Sequence, residues 1–232
     1  MIDEVGLVKI LYRIFPEEIL NNHTYSLNKF IRKAAKEGNK KGKKVIDIGA
    51  GEVPYKQYFT KCQYYTQDIV NNKQKSIDYV CDSKKIPVKN NSFDYIICTQ
   101  VLEHVKEPHL VVKEMYRILK RGGKVFLTTH LCIEEHMIPY DYFRYTRYGL
   151  EYLATSNNFK VREITPQGGR FIVLSKQIQT AIPRILPNKY LIYVYYILTI
   201  IPIFLIHLVM FYLDKLDKQK SLTLNYECIF VK

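Results

Sequence analysis

A short apolar run that ends in a glycine-rich turn constrains the fold of this chain most strongly. Val45-Ile46-Asp47-Ile48 is followed directly by Gly49-Ala50-Gly51. Apolar runs of this length that end at glycine are typical of buried strands. Glycine also lets the backbone of such a turn approach a bound ligand closely. The pattern predicts a strand over residues 44–48, with a ligand-binding turn at its carboxyl end.

Strand and helix signals alternate after this turn. Amphipathic segments at His109–Leu119 and Tyr148–Asn157 predict helices, because their apolar residues recur with a helical period. The predicted strands are Lys44–Ile48, Tyr64–Ile69, Asp78–Cys81, Phe93–Thr99, Lys124–Thr129, Phe159–Ile164 and Asn225–Val231. Such alternation is typical of βαβ units, so we predict an α/β fold with a doubly wound, mostly parallel sheet.

The chain divides by composition into four predicted parts. Residues 1–43 are predicted to form helices, 44–170 the ligand-binding α/β core, 171–220 a hydrophobic helical insertion and 221–232 the last strand of the core sheet.

A hydrophobic content of 47% excludes a wholly disordered chain. The five cysteines lack paired spacing, which predicts a reducing compartment without disulfides or structural zinc. No secretory signal is recognisable, so we expect a cytoplasmic location.

The chain is strongly basic, with a formal net charge of +13. A basic surface can attract nucleic acid, anionic lipid or an anionic substrate, and a lysine-rich composition alone can also produce it. No basic patch with interleaved aromatic residues, typical of RNA-binding surfaces, is present in the sequence. We therefore expect no nucleic-acid partner.

The turn after the first strand departs from the dinucleotide-binding pattern. Glu52-Val53-Pro54 follows Gly51, so the third glycine of that fingerprint is missing. Pyrophosphate needs a helix N-terminus close by, and the departure therefore disfavours a dehydrogenase. Asp68 ends the second predicted strand about 20 residues after the turn, where a carboxylate can accept hydrogen bonds from ribose hydroxyls. Asp82-Ser83 follows the third strand and offers acceptors for an adenine amine.

From Lys44 to about Gly169 the chain resembles the class I S-adenosylmethionine-dependent methyltransferases, in particular a small bacterial and archaeal group often found with surface-polysaccharide genes. The motifs that carry the resemblance are Asp47-Ile-Gly-Ala-Gly51 with Pro54-Tyr55, the strand end at Asp68, Asp82 before Ile86-Pro87, Gln100-Val-Leu-Glu-His-Val105, Glu114-x-x-Arg117 with Gly122-Gly123, and His136-x-x-Pro139-Tyr-Asp141-Tyr-x-Arg144-Tyr-Thr146. The resemblance implies a Rossmann-like sheet of seven strands, the last two forming an antiparallel hairpin.

The same resemblance implies a cofactor, S-adenosylmethionine, and a role for each matching residue. Asp47, Gly49 and Gly51 would surround its methionine part, and Asp68 would hold the ribose. Asp82 and Ser83 would bind the adenine, whereas Gln100 and Leu102 would border the sulfonium. His130 departs from the family, which usually has proline after the fifth strand.

The segment His130–Thr146 follows the fifth predicted strand and is dense in titratable and aromatic side chains. We expect it to form a lid over the acceptor. His136 is the candidate base or acceptor ligand, Asp141 would orient it, and Arg144 would bind an anionic or hydroxyl-rich acceptor. Alternatively, Asp141 and Arg144 only pair with each other. No metal site is expected, because the spacing of His130, Glu134 and His136 matches no standard site.

The insertion contains Tyr190–Leu213, which is almost uncharged and longer than the about 20 residues that span a bilayer. A single crossing would separate strand seven from its sheet, and Pro202 divides the segment into halves too short to span. We therefore predict an in-plane or re-entrant membrane element within residues 171–213. A homodimer interface or packing within the chain remains open.

These features together predict an enzyme on the inner face of the cell membrane. We expect it to methylate a small or lipid-linked acceptor such as a sugar or surface-glycan precursor. One alternative is a quinone or small-lipid methyltransferase, and another is a catalytically silent cofactor-binding module at the membrane.

Overall fold

The computed structural model describes residues 17–20 and 22–232, so the part of the predicted N-terminal helices that precedes residue 17 lies outside the described residues. The chain forms two compact units. One contains Leu27–Thr165 with Asn225–Lys232, and the other contains Pro166–Leu224 with the described residues before Leu27. The boundary near residue 27 differs from the predicted one at 44, because the helix before the first strand packs into the core of the sheet.

A seven-stranded sheet has the order β3-β2-β1-β4-β5-β7-β6. Its strands are β1 (Lys44–Ile48), β2 (Gln63–Asp68), β3 (Tyr79–Val80), β4 (Phe93–Thr99), β5 (Leu119–His130), β6 (Lys160–Gln167) and β7 (Asn225–Val231). β1 pairs in parallel with β2 and β4, and β4 pairs in parallel with β5, whereas β7 runs antiparallel to β5. The predicted doubly wound, mostly parallel seven-stranded sheet is therefore confirmed.

The helices are α1 (Glu17–Leu20), α2 (Asn22–Gly38), α3 (Pro108–Ile118), α4 (Arg147–Thr155), α5 (Arg170–Ile185) and α6 (Lys189–Leu213). Single 3-10 turns lie at Lys56–Tyr58, Leu102–His104 and Asp214–Leu216. β5 begins at Leu119 rather than at the predicted Lys124, because Leu119 pairs with Phe93 across a register shift. Gly122-Gly123 lies within this irregularity, between Leu119 and Lys124.

Both faces of the sheet are covered, which explains why its central strands are apolar throughout. On one face Ile46, Ile96 and Leu127 belong to a cluster that includes residues of α3 and α4. The opposite face carries Val45, Ile97 and Phe126, which share a cluster with Phe30, Ile31 and Ala34 of α2. The Phe30 and Phe126 rings meet edge to face, with their centres 5.7 Å apart.

In the other unit, the carboxylate of Asp214 joins the ends of α5 and α6. It accepts hydrogen bonds from the backbone N–H groups of Gly169 and Ile172, at 2.9 and 3.3 Å. A carboxylate is favourable there because the first turn of a helix has unpaired N–H groups. Among the described residues no single helix has both the length and the apolar composition of a membrane span. Only Lys189–Thr199 and Ile201–Leu216, bent by 63° at their junction, reach those limits as a pair.

Candidate cofactor and acceptor site

The turn after β1 lies where the strand order reverses between β1 and β4, the position at which open α/β sheets bind ligands. Gly49 and Gly51 have φ values of +70° and +53°, a region that favours glycine. A Cβ at Gly49 would lie 2.3 Å from Cγ2 of Val101, whereas one at Gly51 would meet no atom within 4 Å. The first glycine therefore permits close packing, and the second borders open space that a ligand can fill.

Asp47 is a fully buried carboxyl group at the end of β1. The Tyr64 hydroxyl donates to its Oδ2 at 2.6 Å, and its Oδ1 is buried without a hydrogen-bond partner among the described residues. Burial raises the pKa of Asp47 to about 7, although the bond from Tyr64 acts in the opposite direction. A buried acceptor without a donor is costly, so this group suits a cationic ligand that would favour its charged form.

Asp68 ends β2 and Asp82 follows β3 at the same edge of the sheet, where the backbone N–H of Cys81 bonds to the Asp68 carbonyl at 2.9 Å. The Asp68 carboxylate accepts from the backbone N–H groups of Gly51 and Ile69, at 2.9 and 2.7 Å. Each of its oxygens retains acceptor capacity, because a carboxylate has about four lone-pair sites. Asp82 is exposed and accepts from the Lys84 backbone at 2.9 Å, and Ser83 beside it is half-buried.

Gln100 and Leu102 follow β4, beside the glycine turn. Gln100 has a φ of +56°, and its backbone N–H bonds to the Thr128 carbonyl at 2.9 Å. The Leu102 side chain is fully buried in the core, so a contact between this residue and the cofactor would have to come from its backbone. The roles assigned to both residues by resemblance stay predictions.

The predicted lid, His130–Thr146, is held against the turn that follows β4. The backbone N–H of Tyr142 bonds to the Glu103 carbonyl at 2.8 Å, and the Tyr145 hydroxyl donates to the Leu102 carbonyl at 3.0 Å. Nδ1 of His104 lies 2.6 Å from the Tyr140 carbonyl. These contacts bring the lid from a distant part of the sequence to the carboxyl edge of β4.

The structure brings the three predicted acceptor-side residues together within the lid. The Asp141 carboxylate accepts from the His136 backbone N–H at 2.9 Å, and its Oδ2 lies 3.3 Å from His136 Nδ1. Arg144 binds both oxygens of Asp141, at 2.6 and 2.7 Å. This bidentate pair and the His136 backbone bond hold the pKa of Asp141 well below its usual range. Asp141 therefore stays ionised and can hold the imidazole in place.

Arg144 also donates to three backbone carbonyl groups of the lid. They belong to Ile133, Phe143 and Glu134, at 3.0, 2.9 and 3.0 Å. With Asp141 included, its guanidinium contacts are all within the lid, which supports a positioning role more than direct binding of an anionic acceptor. Its predicted role toward the acceptor stays a prediction.

Glu103 is a candidate residue to which the sequence reasoning assigned no role. It is fully buried, and its Oε2 accepts from the Thr129 hydroxyl at 3.0 Å. Burial raises the pKa of Glu103 to about 7. In the sequence, only its position within the Leu-Glu-His motif after β4 pointed to a functional role. The neighbouring apolar residues did not show that its carboxyl group would be buried.

The sequence is similar to a known protein family and to individual members of it. Residues 20–163 match a family model described as a methyltransferase domain. Ubiquinone biosynthesis O-methyltransferase from Coxiella burnetii is 31% identical over 127 residues, which cover 49% of this chain and 52% of that protein. The enzyme of the same name from Idiomarina loihiensis is 29% identical over 144 residues, covering 55% and 54%. The chain thus spans about half the length of the curated relatives it matches.

Two solved structures share the fold at low sequence identity. A Galdieria sulphuraria protein, assigned as a sarcosine dimethylglycine methyltransferase, has a TM-score of 0.61 at 12% identity and covers 94% of this chain and 91% of its own. A phosphoethanolamine N-methyltransferase from Haemonchus contortus has a TM-score of 0.56 at 18% identity and covers 88% and 52%. At such identities the likeness concerns the fold alone.

Proposed function

The chain belongs to the methyltransferase domain family, and we propose that it transfers a methyl group from S-adenosylmethionine to a hydroxyl oxygen of a small, apolar aromatic acceptor. Family membership makes it a class I S-adenosylmethionine-dependent methyltransferase. The acceptor class rests on relatives at about 30% identity that are named for O-methylation in ubiquinone biosynthesis. They favour a quinone precursor over the sugar or surface-glycan precursor that we expected first.

The residues at the carboxyl edge of the sheet fit the cofactor. S-adenosylmethionine, when bound, supplies an electrophilic methyl group on a sulfonium. The orphaned Oδ1 of Asp47 suits its ammonium group, and the open space at Gly51 admits its chain. Asp68, beside Gly51, has acceptor capacity for ribose hydroxyls. Intact residues at each of these positions disfavour a catalytically silent module.

The observation that carries the proposal is a cluster of groups that can accept a proton from the acceptor. A phenol or alcohol must lose its proton as the new O–C bond forms, and a positioned base speeds such a step. His136, Glu103 and His130 each offer a ligand or proton-accepting atom, and these atoms lie within 4.8 Å of one another. Glu103, whose pKa burial raises to about 7, can share a proton at neutral pH. A carboxylate acceptor, which is already ionised at neutral pH, would need no such group.

We also propose that α6 rests in a membrane surface, the phase in which an apolar acceptor would be dissolved. Several apolar side chains on this helix are exposed, namely Leu191, Val194, Ile197, Leu198, Ile201, Leu205 and Val209. Lys189 lies 5.4 Å from the Tyr190 ring centre at one end, and Lys215 lies 4.6 Å from the Tyr212 ring centre near the other. Aromatic and lysine side chains at both ends of an apolar segment are typical of the interface with anionic lipid. Location on the inner face of the cell membrane follows as part of this proposal.

An acceptor screen with methyl-labelled cofactor tests the function. We expect label in prenylated catechols and hydroxyquinones, and none in their fully O-methylated counterparts, which lack the acceptor hydroxyl. Sugar nucleotides and lipid-linked sugars form the competing panel. Label confined to that panel would overturn the aromatic acceptor while leaving the methyltransferase activity intact. If calorimetry shows that the protein binds the cofactor but neither panel is labelled, the catalytically silent cofactor-binding module is favoured instead.

A further inference from the structure

A cluster of three residues from the lid and the adjoining strand ends has the composition of a metal site. Glu103 lies just after β4, His130 ends β5 and His136 lies in the lid. Each offers one ligand atom, and the three atoms lie within 4.8 Å of one another. The His130 and His136 ring centres are 5.1 Å apart at an interplanar angle of 83°.

Both imidazoles have a polar contact at Nδ1, which fixes the orientation of each ring. Nδ1 of His130 contacts Oδ1 of the buried Asn225. Nδ1 of His136 lies 3.1 Å from the Glu134 carbonyl and 3.3 Å from the Asp141 carboxylate. Acceptors at these distances favour the tautomer with the proton on Nδ1. Histidines that bind metals nearly always have this second hydrogen bond.

The carboxylate of Glu103 supplies an independent observation. Its Oε1 is buried without a hydrogen-bond partner among the described residues, which is costly for an acidic group. That atom lies 3.4 Å from Nε2 of His130, too far for a normal hydrogen bond. Two ligand atoms on a tetrahedral ion with bonds of about 2.1 Å are also separated by about 3.4 Å. The unpartnered oxygen and the imidazole nitrogen therefore stand at the spacing that a shared ion requires.

We propose that Glu103, His130 and His136 bind a divalent transition-metal ion such as zinc. Two imidazoles and one carboxylate form a donor set that occurs in zinc and in non-haem iron sites, with at least one coordination position left open. This reverses the sequence-based expectation of no metal, which weighed His130 and His136 with Glu134. The structure replaces Glu134 by Glu103, which the fold brings beneath the lid.

The open position gives the ion a place in the chemistry, and this part rests on the proposed function. An acceptor hydroxyl bound there loses its proton to solvent more easily, because the positive charge stabilises the anionic oxygen. The oxygen lone pair then forms the O–CH₃ bond, and the electrons of the S–CH₃ bond remain on sulfur. His136 acts as a ligand in the metal-bound protein, whereas in the metal-free protein it can accept the proton itself.

Metal binding is tested on the full chain without any acceptor. Protein stripped with a chelator is titrated with Zn²⁺ by calorimetry and with Co²⁺ by its visible spectrum. We expect one ion per chain and the intense visible bands of low-coordinate cobalt. Glu103→Gln and His136→Ala should each weaken binding at least about 100-fold, since they remove a ligand. His109→Ala, which changes an exposed histidine on α3, should bind as the wild type does.

The variants separate loss of the site from loss of the fold. Glu103 is fully buried, whereas the His136 side chain is 32% exposed on the lid, so His136→Ala should fold even if Glu103→Gln does not. Unchanged Zn²⁺ affinity in His136→Ala, or no binding to the wild type, would overturn the proposal. Binding of S-adenosylmethionine is measured on the same samples, because a protein that binds the ion but methylates no aromatic acceptor would refute the proposed function and leave the metal site standing.

Discussion

Tyr64 donates a 2.6 Å hydrogen bond to Oδ2 of Asp47, whereas Oδ1 of the same carboxyl group is buried without a partner among the described residues. One donor does not offset the burial of a full carboxylate, and the pKa of Asp47 accordingly rises to about 7. The cofactor-free protein therefore carries an unfavourable group at the site where the ligand's ammonium would bind. Stability and cofactor binding place opposite demands on this residue.

Asp47→Asn should stabilise the cofactor-free protein at about pH 8, by about 2 to 4 kcal/mol, and weaken its binding of S-adenosylmethionine. The folded-state pKa lies above the unfolded value, so the wild type loses stability as pH rises from about 4 to about 7. Asparagine does not ionise, so the stability of the variant does not fall in this way as pH rises. Urea unfolding at about pH 5 and about pH 8 measures the difference, which should be larger at the higher pH.

Asp94→Asn is the matched control for this effect, because its pH dependence has the opposite sign. Burial raises the pKa of Asp94, but bonds from Lys120, the Lys44 backbone and Lys43 outweigh it and lower the pKa overall. That stabilisation is present above the unfolded pKa and is lost as pH falls through the folded one. The control should therefore be destabilised at neutral pH. If both variants respond to pH in the same way, the environment inferred for Asp47 is wrong.

Asp68→Asn should raise the dissociation constant for S-adenosylmethionine by about 10- to 100-fold, since hydrogen bonds to a charged group contribute about 1.5 to 3 kcal/mol. Calorimetry with the cofactor and its demethylated product provides the measurement. Glu151→Gln removes an exposed carboxylate on α4 and serves as the control. Equal affinity in Asp68→Asn and the control would exclude Asp68 as the ribose acceptor.

Gly49→Ala and Gly51→Ala separate packing from backbone strain in the cofactor turn. Both positions have positive φ, which should cost about 1 kcal/mol in each variant. Only Gly49→Ala also drives a Cβ against Val101, so it should lose about 2 to 4 kcal/mol of unfolding free energy. Val101→Ala in the same chain should restore part of this loss. Equal destabilisation of the two single variants would contradict the close contact.

His136→Ala should lower kcat for a hydroxyl acceptor about 100- to 10,000-fold, because the step loses its proton acceptor or its metal ligand. The dissociation constant for S-adenosylmethionine should change little, since no predicted cofactor contact involves His136. Single-turnover kinetics measure the rate of methyl transfer, and calorimetry measures the dissociation constant. His109→Ala controls for the loss of a histidine, and wild-type turnover in His136→Ala would remove this residue from the chemistry.

Leu198→Lys with Ile201→Lys should reduce binding to anionic vesicles at least about tenfold, because both side chains are exposed at the bend of α6 and would otherwise insert. The fraction of protein that floats with phosphatidylglycerol-containing vesicles measures this binding. Tyr152→Lys changes an equally exposed aromatic side chain on α4 and should leave flotation unchanged. A wild-type protein that does not float at low salt would rule out the membrane proposal.

Much of the fold could be predicted because its signals are local. β4 and β7 have the predicted bounds, since an apolar run buried on both faces begins and ends where burial does. The bounds of β5 could not be predicted, because Leu119 joins the sheet through a register shift that depends on its partner Phe93. By contrast, the 63° bend of α6 lies beside Pro202, the residue that was predicted to divide this segment.

The sequence by itself determined the fold class and the cofactor edge, because Asp47, Gly49, Gly51 and Asp68 lie at or just after the carboxyl ends of strands, and parallel strands end at one edge. Only the tertiary structure decided which acceptor-side groups meet. Glu103, His130 and His136 come from three separate segments, and the pairing of β4 with β5 and the docking of the lid bring them together. The charge state of such a group depends on its burial and its neighbours, which no local pattern records.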